Sequence, residues 1–129
     1  MQKTLIEIKK EKEENINKLC VDCGAFFAFS NEQFDENRTP LAEGDKYVSF
    51  GGGGYMPKSN KIKWFEGMVA IGKKFFDDID NNNLKEEYIL YELNNHEAFY
   101  TGDITSTKEV FGEIYTDEEV MAVYKKFAN

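Results

Sequence analysis

Residues 47–79 read YVSFGGGGYMPKSNKIKWFEGMVAIGKKFFDDI, and this stretch decides the fold. Tyr47–Phe50, entered from the turn-forming Glu43-Gly44-Asp45, is a strand candidate. The glycine run comes next as a connector, and beyond it lies the strongest helical pattern in the chain. Ile62, Phe65, Val69, Gly72, Phe76 and Ile79 make one stripe, and Trp64, Met68, Ile71 and Phe75 make a second beside it. A helix so broad in apolar surface is expected at the centre of the core. Gly67 and Gly72 each cost such a helix about 1 kcal/mol against Ala, which close approach by another element would explain.

Working outward, Thr4 to about Cys20 predicts a first helix, with Leu5, Ile8, Ile16 and Leu19 at helical spacing around a solvated KKEKEEN. Gly24 stops it. Ala25–Phe29 is a short apolar run expected to be a buried strand. Ser30 and Gln33 make a capping box, with Phe29 and Phe34 at the staple positions, for a short helix that fades near Asn37. On the other side, Asp80–Asn83 reads as a turn. Asn83 as cap and Glu86 at the third position suit a helix from Leu84 to about Leu93, ending at Asn94-Asn95, although YILYEL at 88–93 could equally be a strand. Ala98–Thr101 is expected to be a third strand, and Thr116 with Glu119 caps a last helix to Phe127, with Tyr115 and Val120 as its staple. The expected class is α+β: about three short strands packed by a long central helix and several further helices. No repeat or linker divides the chain, so a single domain over residues 1–129 is expected, with residues 1–18 able to protrude as a helix.

Composition bounds the function. An apolar fraction of 41%, with eleven Phe and seven Tyr, is too sticky for a disordered chain. The net charge of −8 and the single Arg, Arg38, argue against phosphate-backbone recognition, so no direct nucleic-acid binding is expected. Two cysteines make no secreted framework, and no apolar run approaches the roughly 20 residues of a membrane span. A cytoplasmic protein is expected.

Three constellations carry chemical interest. From Gly52 the chain reads GGGYMPKS, placing Lys58 and Ser59 where a P-loop has its Lys and Ser. Pro57, however, stands where that motif needs Gly, and proline offers no N–H. An NTPase is rejected. There survives a ligand-binding candidate of Gly51, Gly52, Gly53, Gly54, Lys58, Ser59 and Lys61, in which backbone N–H groups and a helix N-terminus would favour an anion. The commoner role of such a run is backbone geometry. Cys20-Val-Asp-Cys23 has CxxC spacing but sits at a helix C-terminus beside Asp22, against the requirements of a redox pair. A zinc site would need two more ligands, for which only His96 and a carboxylate such as Glu97 offer themselves. No cofactor or metal is expected. His96, Glu97 and Asp103 are catalytic candidates, His96 as a general base oriented by a carboxylate. The commoner role of such a His is to anchor a helix end through its ring nitrogens. Acids cluster at Glu11–Glu14, Asp77–Asp80, Glu86–Glu87 and Asp117–Glu119. Gathered on one face they would imitate a phosphate backbone; spread out they are a solvated surface.

The segment Tyr91-Glu-Leu-Asn-Asn-His96-Glu97, continued by AFYTGD to Asp103, resembles an uncharacterised family of small proteins encoded by phages and mobile elements of gut-type bacteria. The resemblance extends through AFFAFS at 25–30, the GGGGYMPK segment and the long helix. It carries no activity and no catalytic residues. It implies an accessory protein of host takeover or counter-defence.

The leading expectation is therefore a non-enzymatic protein acting by stoichiometric binding, to a host or defence protein or to a small nucleotide-like ligand. The alternatives are a small metal-dependent or His/carboxylate hydrolase built on His96, Glu97 and Asp103, and a structural or assembly protein. The last would form a homo-oligomer through its first helix.

Overall fold

Gly51, Gly52 and Gly53 all hold φ between +56° and +95°. Side chains disfavour that region, and the three glycines reverse the chain after Tyr47–Phe50. The segment beyond them is a strand and not a connector. In the computed structural model, which describes residues 2–128, β1 (Phe26–Phe27), β2 (Tyr47–Gly51) and β3 (Gly54–Pro57) form an antiparallel sheet in the order β1-β3-β2. The third strand is thus β3, inside the expected connector. The helices are α1 (Leu5–Asp22), α2 (Asn31–Asn37), α3 (Lys61–Asn81), α4 (Lys85–Asn95), α5 (Ala98–Thr101), α6 (Thr105–Phe111) and α7 (Asp117–Phe127). A 3-10 turn, Lys58–Asn60, joins β3 to α3. The class is α+β.

Ala98–Thr101, expected as a strand, is helical. Glu97 takes φ +56° after α4 ends, and Gly102 at φ +75° closes the turn with its N–H on the Ala98 carbonyl. Four residues held between two left-handed positions cannot present an extended edge. A further helix, α6, starts where Asp103 accepts hydrogen bonds from Thr105 N at 2.9 Å and Thr105 Oγ1 at 2.6 Å.

The chain folds as two compact units. One spans Glu7–Phe76, and the other takes the residues up to Ile6 together with those from Asp77 onward. In the sheet unit, register pairs Phe26 with Tyr55 and Ser49 with Tyr55, while Phe50 bulges between Ser49 and Gly51. One sheet face gathers Phe26, Tyr47 and Tyr55 around Phe34 of α2, with ring centroids 5.1–5.7 Å apart. Phe34 is spent on that cluster, whereas Phe29, its expected staple, is 77% exposed. Ser30 caps α2, accepting from Gln33 N at 3.1 Å, but the expected box is not completed: Gln33 Oε1 accepts from Phe29 N at 2.9 Å, one residue before the cap. On the other face Phe50 touches Phe27 and Trp64, at 5.8 and 5.1 Å between centroids. Gly54 leaves the room that Phe50 fills: a Cβ there would lie 2.4 Å from the Phe50 ring.

In the helical unit, Phe111 is buried between Tyr88 and Tyr115, at 5.5 and 5.1 Å. Ile79, Ile89, Leu93 and Val120 are buried as well. Burial and the nearby Asp80 carboxylate push the Tyr115 phenol well above its usual pKa; its hydroxyl donates to Asp80 at 3.3 Å. The Thr116–Glu119 capping box forms as expected, and both of its staple residues, Tyr115 and Val120, are buried. Asn83 does not cap α4: it adopts φ +57°, and Leu84 takes the cap position without a side-chain bond.

Candidate functional site

The glycine–lysine candidate is divided by β3. Gly51–Gly53 form the hairpin turn at one end of the strand, and Lys58 and Ser59 occupy the 3-10 turn at the other. Four residues of extended chain put about 13 Å between them. Ser59 is also engaged: its Oγ donates to Asp45 Oδ2 at 2.6 Å and its N–H to Oδ1 at 3.3 Å. These bonds, with one from Lys46 N, hold the Asp45 carboxyl below its usual pKa. A carboxylate therefore already sits on the donors that a phosphate would need. Lys61 opens α3 and is exposed.

Of the histidine group, the acid beside His96 is one that sequence reasoning misses. His96 Nε2 lies 3.4 Å from Glu92 Oε2, one helical turn back. Glu92 is buried and also accepts from the Tyr88 hydroxyl, whose pKa burial and this carboxylate raise strongly. Thr107 Oγ1 reaches the Glu92 carbonyl at 3.4 Å. The arrangement ties the end of α4 to α6. Glu97 is exposed on its left-handed turn, and Asp103 opens α6, where its bonds from Thr105 hold its carboxyl below the usual range. Cys20 and Cys23 are free thiols; Cys23 is buried, which pushes its pKa up against the opposing pull of Lys63. Among the described residues, no three His, Cys, Asp or Glu side chains are grouped to hold a metal ion.

The conspicuous feature lies on the sheet unit, where the sequence points to core. Of the two stripes on α3, the one carrying Trp64, Met68, Ile71 and Phe75 turns inward. Gly67, beside it, faces Leu19 of α1 so closely that a Cβ would sit 2.5 Å from Leu19 Cδ1. The other stripe stands outward only at its start, where Ile62 is 72% exposed, Phe65 65% and Val69 57%; Ile79, at its far end, is buried. Phe27 and Phe29 near the hairpin are exposed too, and Phe50 links Phe27 to Trp64. The Trp64 Nε1–H is buried without a hydrogen-bond partner. Charge divides in the same way. Residues 7–76 carry eleven acids and eleven bases, while the helical unit, with thirteen acids and five bases, holds the whole −8. The signal in the sequence is the breadth of α3: a helix packed along one face has no use for two apolar stripes.

A groove of about 490 Å³ on the helical unit runs between α6 and α7, floored by Ile104, Met121 and Ala122 and bordered by the Lys108–Asp117 ion pair at 3.2 Å. No helix among the described residues is long and apolar enough to cross a membrane. Neither a curated protein nor a solved structure matches the chain. A match over residues 4–129 nevertheless shows its kinship: the chain belongs to the family of unknown function DUF7659.

Proposed function

We propose that the protein works by stoichiometric binding, without catalysis, and that its partner is a protein taken up on the apolar face of the sheet unit. The observation that carries this reading is the outward stripe Ile62, Phe65 and Val69, with Phe27 and Phe29 exposed on the same unit. Grouped apolar side chains in water mark interaction surfaces, and aromatic residues are enriched at their centres. A protein partner is favoured over a nucleotide-like ligand because Asp45 already takes the Ser59 donors. The hydrolase alternative gains little from His96, whose neighbour Glu92 is a buried, hydrogen-bonded acid. The resemblance to phage and mobile-element proteins supports a binder that works in the host cytoplasm, in takeover or counter-defence.

Site-specific photo-crosslinking in cells tests this. A photoreactive phenylalanine analogue at Phe65 or Phe29 is expected to give one discrete adduct. The same group at Tyr100, exposed on the helical unit, gives none. Equal, diffuse labelling from all three positions would refute the proposal.

A further inference from the structure

The outward face of α3 has the spacing of a short two-stranded zipper. Ile62 and Val69 fall seven residues apart at one core position, and Phe65 and Gly72 fall at the other. Among parallel coils, β-branched residues at the first position favour two strands when Leu holds the second; here Phe65 and Gly72 hold the second, so the direction of the pair rests on charge. The flanks carry opposite charges: Lys61 precedes the stripe on one side and Glu66 borders it on the other, both exposed. Neither is engaged in an ion pair among the described residues. Resting on the reading of this face as a binding surface, we infer that its occupant is a second copy of the chain, with its α3 parallel and in register.

Charge selects both the partner and its direction. In a parallel pair each flank meets the opposite flank of the neighbour, so Lys61 of one copy faces Glu66 of the other, twice by symmetry. Lys73, on the Glu66 flank, then lies nearest the uncharged Met68 of the second copy. An antiparallel pair centred on the same stripe would set Glu66 against Glu66 of the second copy. Copies meeting through the sheet unit also bring together surfaces of no net charge, although the chain as a whole carries −8. Gly72 suits its place, since a side chain there would touch nothing within 4 Å of its own fold.

Two heptads make a small interface, so association is read by sedimentation equilibrium from roughly 1 μM to 1 mM, the window of weak contacts. Val69→Glu is expected to weaken the dimer by more than about tenfold, because it sets two carboxylates against apolar surface. Lys61→Glu and Glu66→Lys each weaken it roughly tenfold, since each turns two attractive contacts into repulsive ones. The double reversal restores wild-type affinity, and the two single variants associate when mixed. Circular dichroism confirms that these surface variants keep their helices. A wild-type monomer at 1 mM, a dimer indifferent to Val69→Glu, or charge reversals without rescue overturns the inference. The crosslinker at Phe65 separates this failure from failure of the binding role: an adduct of twice the protomer mass supports the zipper, and a discrete adduct with a different protein overturns it while leaving the binding role intact. Absence of any discrete adduct overturns both.

Discussion

Gly67 and Gly72 share one helix, and alanine at the two positions is expected to change stability in opposite directions. Replacing a helix-interior glycine by alanine is worth about 0.5–1 kcal/mol, chiefly by removing backbone freedom from the unfolded chain. At Gly72 nothing lies within 4 Å of the added Cβ, so the gain should appear in full. For a chain of this length about 1 kcal/mol raises Tm by roughly 3–5 °C. At Gly67 the same Cβ would fall 2.5 and 2.7 Å from the two methyl carbons of Leu19 and 3.2 Å from its Cγ. Leu19 must rotate or α1 must back away, and overpacking of this kind costs about 1–3 kcal/mol. Subtracting the helix gain leaves Gly67→Ala destabilised by up to about 2 kcal/mol. Urea unfolding followed by far-UV circular dichroism measures both variants, with Leu19→Ala completing a double-mutant cycle. Truncating Leu19 should cost less in the Gly67→Ala background than in the wild type, by about 1 kcal/mol or more. If Gly67→Ala stabilises as much as Gly72→Ala, the close approach of α1 and α3 is not what keeps the glycine.

Phe111→Ala removes a buried ring that touches Tyr88 and Tyr115, so it should lose about 3–5 kcal/mol in denaturant unfolding; a loss under about 1 kcal/mol would mean that these rings are not the centre of the helical unit. Asp45 has a folded pKa below its usual 3.8, held down first by the Ser59 hydroxyl. Its stabilising contribution is therefore complete above 3.8 and lost as pH falls through the lower folded value. Thermal melts from pH 6 to pH 2 should show less acid sensitivity in Asp45→Asn, and an unchanged slope would contradict the assigned bonds. Cys23 is buried with a raised pKa, so iodoacetamide at pH 8 should label Cys20 first and reach Cys23 only on unfolding. Peptide mass spectrometry showing equal rates would refute this.

Elements written in local chemistry are legible in the sequence. The Ser30 cap and the Thr116–Glu119 capping box need only residues three apart, and both form. Those set by contacts distant in sequence are hidden. Gly54–Pro57 has no strand pattern of its own; it becomes β3 because three left-handed glycines fold it between β1 and β2. Ala98–Thr101 looks extended through its Phe and Tyr, but the left-handed Glu97 and Gly102 confine it to one helical turn. The same limit governs the site residues. Spacing suggests a meeting of glycines with Lys58 and Ser59, but β3 stands between them, and Asp45, fourteen residues back, takes Ser59. His96 is visible as a residue, but its buried partner Glu92 reads in the sequence only as part of a helix.

The two stripes of α3 also explain why a sequence can mark a surface as core. Hydrophobic periodicity records which side chains avoid water, without saying whether the chain itself or another molecule covers them. Trp64, Met68, Ile71 and Phe75 are covered within the fold, and Ile62, Phe65 and Val69 are not. An exposed apolar face invites indiscriminate aggregation unless something else keeps the molecule dispersed. Here the helical unit carries the entire net charge of −8, and its Lys85–Glu119, Lys108–Asp117 and Lys126–Glu86 pairs leave that excess uncompensated. Like-charged copies then repel unless their neutral faces meet in an orientation that repays the approach. Acid on one unit and apolar surface on the other thus favour a defined contact over nonspecific clustering, as the proposed stoichiometric binding requires.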